Sequence, residues 1–169
     1  MNWFFLTLGY SGLSPKAPGT MGTLVSLPLG MAILIYFDAT TLFLAALLVS
    51  VIAIKVINKY EEESGNHDDQ QIVIDELAGM WFALSVAPAA GVALSQITEL
   101  QNGFLVQSIL SFVLFRYFDI TKPSIIGRID REAKGGVGVM GDDIIAGFAA
   151  GISSAALWQG WLYISNISL

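Results

Sequence analysis

LFLAALLVSVIAIKVI, at Leu42–Ile57, is an almost unbroken run of apolar residues. Four further apolar stretches lie on either side of it, at Met21–Phe37, Leu77–Leu94, Gly103–Phe118 and Ile144–Ile164. Most are close to the ~17–25 residues that a membrane-spanning helix needs. A chain of 169 residues cannot bury five such helices in itself, since a domain of that size still exposes about a third of its surface. The sequence predicts an all-α fold: an integral membrane helical bundle of about five transmembrane helices, in a single domain over residues 1–169.

The composition also indicates that part of the protein's surface faces lipid. Hydrophobic residues make up 54% of the sequence, charged residues 13%, and the mean hydropathy is +0.66, whereas soluble domains have about 25% charged residues. The absence of cysteine excludes a disulfide framework, a zinc–thiolate site and a cysteine nucleophile. The net charge of −6 differs from the basic footprint of nucleic-acid-binding proteins, so we expect no nucleic-acid partner.

The basic residues predict the orientation in the membrane. Five crossings place three polar segments on one side, namely Gly9–Thr20, Asn58–Glu76 and Arg116–Asp143. All eight basic residues fall on that side: Lys16, Lys55, Lys59, Arg116, Lys122, Arg128, Arg131 and Lys134. Lys and Arg near membrane ends mark the cytoplasmic side, so these loops are expected to face the cytoplasm. Of the fourteen acidic residues only Asp38 and Glu99 lie on the other side. The charge rule does not explain this acidic bias, which points to catalysis or metal binding.

Two acidic pairs stand where polar loops enter apolar stretches, Asp75-Glu76 and Asp142-Asp143. Helix capping is one interpretation, because a carboxylate in the first turn satisfies free N–H groups and complements the helix dipole. Metal binding is the other, because a cap needs only one carboxylate and carboxylate oxygens suit a hard cation such as Mg²⁺. Two such pairs on one membrane face favour the metal.

A third group combines both charges. Arg116, Asp119 and Lys122 are spaced i, i+3, i+6 and share one helix face if the helix continues to Lys122. They form either a ladder of ion pairs at headgroup level or an anion clamp beside a metal ligand. Lys16, in a loop rich in Gly, Pro and Ser, is a further candidate for contact with phosphate.

The remaining polar segments have simpler interpretations. His67, the single histidine, is either a solvated loop residue or a general acid or base. The run Glu61–Glu63 is interpreted as a solvated helix end or loop. The glycines of Gly135–Gly138 either let the backbone approach an anion or form a flexible turn.

Four stretches together resemble the phosphatidylglycerophosphatase A family of bacterial lipid phosphatases. They are SGLSPKAPGTMGTL at Ser11–Leu24, HDDQQIVIDELAGMW at His67–Trp81, RYFDITKPSIIGRID at Arg116–Asp130 and GGVGVMGDDIIAG at Gly135–Gly147. The resemblance implies an Mg²⁺-dependent, multi-pass enzyme of the bacterial cytoplasmic (inner) membrane. Its phospholipid substrate would be phosphatidylglycerophosphate, hydrolysed to phosphatidylglycerol and inorganic phosphate. The motif positions carried over are the acidic residues Asp75, Glu76, Asp119, Asp142 and Asp143, and the basic residues Arg116, Lys122 and Arg128.

The residues agree with that chemistry and disfavour its rivals. One histidine and no cysteine exclude phosphatases that need a histidine pair or a thiolate, which leaves a carboxylate-bound metal that activates water. The alternative function, a small ion or solute transporter with membrane-edge carboxylates, predicts charges near the middle of the bilayer. Here the charges cluster at helix entrances on one face.

Overall fold

The structure is a computed structural model that describes residues 3–67, 69–87, 95, 97, 102–123 and 125–167, with the backbone alone at 130, 131, 166 and 167. Within these residues the chain forms helices and no strand, which confirms the expected all-α class. The helices are α1 (Trp3–Leu6), α2 (Pro18–Tyr36), α3 (Ala39–Ser64), α4 (Ile74–Val86), α5 (Phe104–Thr121), α6 (Ile125–Glu132) and α7 (Gly135–Ile167).

Four helices, α2, α3, α5 and α7, are long and apolar enough to cross a membrane. Large apolar side chains on their outer faces are exposed, as at Leu48, Val113 and Ile152. An apolar belt that a small bundle cannot bury is expected to face lipid. The chain is therefore a membrane protein, as the composition predicts.

The helices extend past the predicted stretches at their polar ends. α3 continues beyond Ile57 because the residues that follow tolerate a helix, and it ends where Gly65 takes a left-handed conformation with φ of 68°. The predicted third stretch forms the helix α4, which has 13 residues and is too short by itself to span a bilayer. The end of that stretch, from 88 to 94, and Glu99 lie outside the described residues.

α4 is the central helix of the bundle. It contacts α2, α3, α5 and α7, and most of its side chains are buried on every side, including Leu77, Met80 and Phe82. A helix that is apolar all round is stable only when neighbours surround it. The residues at the start of α4 are therefore surrounded by the ends of the neighbouring helices.

Small residues bring α4 and α7 into close contact. A Cβ added to Gly147 would overlap the carbonyl oxygen of Gly79, and a Cβ at Gly151 would lie 2.6 Å from that of Ala83. Gly79 itself faces Phe115 and the backbone of Asp143. Small residues four apart on both helices permit this approach, which is a common way to join helices in lipid. The contact fixes the height of α7 against α4.

We predict that Gly147→Ala destabilises the protein by about 1–3 kcal/mol, because the added methyl group must displace backbone. The measurement is reversible unfolding of the full chain in detergent, followed by circular dichroism. Gly160→Ala is the matched control on the same helix, since a Cβ there meets nothing within 4 Å. Equal stability of the two variants would contradict the proposed fit between the helices.

Candidate metal and phosphate site

A cavity of about 800 Å³ opens at one end of the bundle. Its walls come from the start of α2, the end of α3, the loop before α4, the start of α4, the end of α5 and the start of α7. The starts of α2, α4 and α7 and the ends of α3 and α5 thus bring the three predicted polar segments together. Eight of the predicted site residues line the cavity. Two of them, His67 and Lys122, lie outside the helices. The other six are charged residues on α4, α5 and α7: Asp75, Glu76, Arg116, Asp119, Asp142 and Asp143.

The centre of the cavity is an ion-pair network around Arg116. Its guanidinium group donates to Oε2 of Glu76 and contacts Oδ2 of Asp119 at 2.9 Å. Thr23 on α2 also donates to Glu76 Oε2, at 2.8 Å. Gly19 leaves room for this carboxylate, because a Cβ at that position would overlap Glu76 Oε1. The network therefore ties α2, α4 and α5 together through one buried carboxylate.

Three carboxylates converge beside Arg116. Oxygen atoms of Glu76, Asp119 and Asp143 all lie within 4.8 Å of one another. They belong to α4, α5 and α7, so the cluster exists only in the folded bundle. Hard oxygen donors at this spacing fit Mg²⁺, which binds few carboxylates and keeps other positions for water and phosphate.

The two other predicted ligands, Asp75 and Asp142, are not among these three carboxylates. Asp75 Oδ1 accepts a hydrogen bond from the backbone N–H of Glu76, at 2.9 Å. Asp142 Oδ2 pairs with Lys122 Nζ at 2.7 Å. Both residues line the cavity, so their predicted role as metal ligands stays a prediction.

The capping interpretation is wrong for Asp142-Asp143. The helix was expected to start at Ile144, but α7 begins at Gly135 and has no acidic residue in its first turn. The pair therefore lies about two turns inside the helix. Gly135-Gly136 is likewise the start of a helix and not a flexible turn. A Cβ on Gly136 would overlap Ile54 of α3, and the N–H of Gly136 donates to Asn58 Oδ1 at 2.7 Å.

The predicted clamp of Arg116, Asp119 and Lys122 does not lie on one helix. Arg116 and Asp119 pair as the i, i+3 spacing predicts, but α5 ends at Thr121 and Lys122 takes a left-handed conformation with φ of 43°. This turn carries the Lys122 side chain toward α7 and Asp142. Lys122 still lines the cavity.

Two predicted phosphate-binding residues are not brought to the cavity wall. Lys16 is exposed in the loop before α2. Arg128 is exposed on α6, where its Nε pairs with Glu132 at 3.1 Å. Neither is among the lining residues, and their role in substrate binding stays a prediction.

His67 lines the cavity, as does a residue that the sequence analysis missed, Glu61. Glu61 was interpreted as solvated, but its side chain is only 9% exposed and its Oε2 lies 3.2 Å from His67 Nδ1. A signal was available in the sequence. The buried positions of α3 include Ser50, Ala53, Ile57 and Glu61, and this helical spacing places Glu61 on the inner face.

The charges of the cavity decide what it can bind. Seven carboxylates line it, from Glu61, Asp69, Asp75, Glu76, Asp119, Asp142 and Asp143, against the three cationic residues Arg116, Lys122 and Lys134. A phosphate dianion entering this cavity would be repelled unless further positive charge accompanies it. The arrangement is therefore suited to a divalent cation that binds the carboxylates and the phosphate together.

Comparison with known proteins identifies relatives along most of the chain. The family model described as phosphatidylglycerophosphatase A matches residues 4–158. Phosphatidylglycerophosphatase A of Escherichia coli is 35% identical, covering 89% of this chain and 80% of the relative. That of Haemophilus influenzae is 32% identical, covering 93% and 88%. A Bacteroides thetaiotaomicron protein, provisionally named a phosphatidylinositol-3-phosphatase, is 37% identical and covers 81% and 80%. No solved structure matches the chain.

We predict that Arg116→Gln lowers the free energy of unfolding by about 3–5 kcal/mol, because it leaves buried carboxylates without their counter-charge. The measurement is unfolding in detergent with EDTA present, so that no cation replaces the lost charge. The control is Arg128→Gln, which removes an exposed i, i+4 pair worth about 0–1 kcal/mol. Similar losses in both variants would show that the Arg116 network does not hold the helices together.

Proposed function

Because the chain belongs to the phosphatidylglycerophosphatase A family, we propose that it removes the terminal phosphate of phosphatidylglycerophosphate, giving phosphatidylglycerol and inorganic phosphate. The chain is a membrane-bound phosphatase. The observation that carries the proposal beyond the family is the cluster of Glu76, Asp119 and Asp143 beside Arg116. Carboxylates that can hold a metal ion, with an arginine beside them in the same cavity, are groups that can serve the hydrolysis of a phosphomonoester.

We infer that the cluster holds Mg²⁺ through Glu76, Asp119 and Asp143. Supporting this are the oxygen-only donor set and the excess of carboxylates in the cavity. When bound, Mg²⁺ supplies positive charge to the phosphate oxygens and lowers the pKa of a bound water. Asp75 and Asp142 lie close enough to the same cavity to orient water or the ligands.

Arg116 and Lys122 are the chain's own anion-binding groups. Arg116 lines the cavity, and its buried Nε has no hydrogen-bond partner among the described residues, which leaves one N–H donor that the protein does not use. Arginine stabilises the charge on the equatorial oxygens during phosphoryl transfer. Lys122 would exchange its contact with Asp142 for a phosphate oxygen when substrate enters.

The location of the cavity suits a lipid substrate. Its walls are the ends of helices whose sides face lipid, so the headgroup enters while the acyl chains stay in the bilayer. A transporter would need its charges along a path through the bilayer, whereas these lie at one end. The Bacteroides relative is named for a different lipid phosphomonoester, and we favour phosphatidylglycerophosphate because the family model and two relatives carry that name.

We predict that the purified protein releases phosphate from phosphatidylglycerophosphate in mixed micelles only with a divalent cation. EDTA should abolish release and added Mg²⁺ should restore it. Asp143→Asn should lower the rate by at least about 10²-fold, because the substitution removes one charged ligand while keeping the side-chain shape. Glu132→Gln, an exposed residue on α6, is the control.

Three outcomes would count against this proposal. Full activity in EDTA would overturn the metal. Full activity of Asp143→Asn would overturn the site. Faster hydrolysis of phosphatidylinositol 3-phosphate than of phosphatidylglycerophosphate would overturn the substrate.

We further propose that the protein resides in the bacterial cytoplasmic membrane with its cavity facing the cytoplasm. The supporting observation is the charge distribution. Lys122 and Lys134 line the cavity, Lys59 lies near the same end of α3, and Asp38 caps the opposite end of that helix. Basic residues are retained on the cytoplasmic side during insertion.

We predict that a cysteine at Lys134 reacts with a membrane-impermeant maleimide only in inside-out vesicles. A cysteine at Asp38 should react only in intact cells whose outer barrier is permeabilised. The natural sequence has no cysteine, so each variant reports one site without background. Labelling of both positions from the same side would contradict a membrane-spanning α3, and the reverse pattern would contradict the orientation.

A further inference from the structure

Glu61 is unusual among its neighbours on α3. Glu62 and Glu63 are exposed, whereas Glu61 is buried at the cavity wall. Burial of a carboxylate costs free energy unless the group is paired. Its partner in the loop that follows is His67, whose Nδ1 lies 3.2 Å from Glu61 Oε2. The proposed metal cluster does not include either residue.

The loop that carries His67 is held by its own hydrogen bonds. Asp69 accepts from the Tyr60 hydroxyl at 2.6 Å, from Asn66 Nδ2 at 3.1 Å and from the backbone N–H of Gln71 at 3.0 Å. Burial raises the pKa of the Asp69 carboxyl, but these hydrogen bonds outweigh burial and hold its pKa below the usual range. Asp69 therefore stays ionised at neutral pH, and the loop stays anchored to the end of α3.

The contact with Glu61 also selects one form of the imidazole. A carboxylate only accepts hydrogen bonds, so Nδ1 must carry the proton. In the neutral ring, Nε2 is then the nitrogen with the free lone pair. Because Nδ1 faces Glu61 and the ring lines the cavity, Nε2 is the nitrogen left to meet a water or substrate atom there.

We propose that Glu61 is a positioning residue that holds His67 as the general base of the reaction, an inference that rests on the proposed phosphatase function. His67 Nε2 takes a proton from the attacking water while the water oxygen bonds to phosphorus. The bond from phosphorus to the glycerol oxygen breaks, and its electron pair goes to that oxygen, which is protonated by solvent. The imidazolium returns its proton to solvent through its exposed side, since the ring is 79% exposed.

The kinetic test uses the full chain in mixed micelles with phosphatidylglycerophosphate. We expect Glu61→Ala to lower kcat by about 10- to 100-fold with little change in KM, as displacement of a reacting group does. Glu61→Gln should keep much of the activity, because its amide oxygen still accepts from Nδ1. Glu62→Ala, at the exposed neighbour, is the matched control and should match the wild type.

The double variant separates positioning from a structural role. If Glu61 acts through His67, Glu61→Ala should cost nothing further in a His67→Gln background. Multiplied losses in the double variant would overturn the proposal, as would wild-type kcat in Glu61→Ala. Absence of phosphate release by the wild type would instead overturn the proposed function, and the base role of His67 with it.

A second measurement does not depend on activity. The chain has one histidine, so ¹⁵N labelling of histidine gives a single imidazole in nuclear magnetic resonance spectra of the full chain in detergent. In the neutral ring we expect the Nδ1–H form in the wild type and in Glu61→Gln. In Glu61→Ala we expect a shift to the Nε2–H form that an unrestrained histidine side chain prefers. An Nε2–H form in the wild type would overturn the contact.

Discussion

The ion pair between Glu76 and Arg116 is the interaction on which the site depends. Glu76 stands at the start of α4, a helix enclosed by four others, so its side chain is largely buried even though it lines the cavity. Arg116 on α5 and Thr23 on α2 supply the hydrogen bonds that make such burial tolerable. The same pair therefore links α4 and α5 at the cavity and holds the carboxylates of three helices around one point.

This coupling explains why stability and chemistry meet in the same residues. Asp119 and Asp143 add negative charge next to Glu76, and Arg116 balances only part of it. A cluster of like charges in a partly buried place destabilises the protein by itself. A bound cation relieves that repulsion, so the metal that would act on the phosphate would also stabilise the helices that hold it.

Much of this could be predicted from the sequence, and the exceptions have physical reasons. Apolar length identifies the long helices, and acidic pairs at one end identify the cavity. The start of α7 could not be found from hydropathy, because Gly135-Gly136 form a helix only where α3 comes close enough to exclude side chains. Lys122 turns to Asp142 through a left-handed residue, which residue spacing does not reveal. Glu61 was missed because its charged neighbours, Glu62 and Glu63, conceal the helical periodicity.

The lengths of the helices place the cavity at a definite depth. With 33 residues, α7 is about 50 Å long, far more than the roughly 30 Å of a hydrocarbon core, whereas α5 has 18 residues and barely spans it. With the orientation proposed above, the cavity at the shared end of these helices would lie at the height of the lipid phosphates. An enzyme so placed meets its substrate in two dimensions. Its rate would be set by the mole fraction of substrate in the bilayer, so that dilution with other lipids would slow turnover and dilution with water would not.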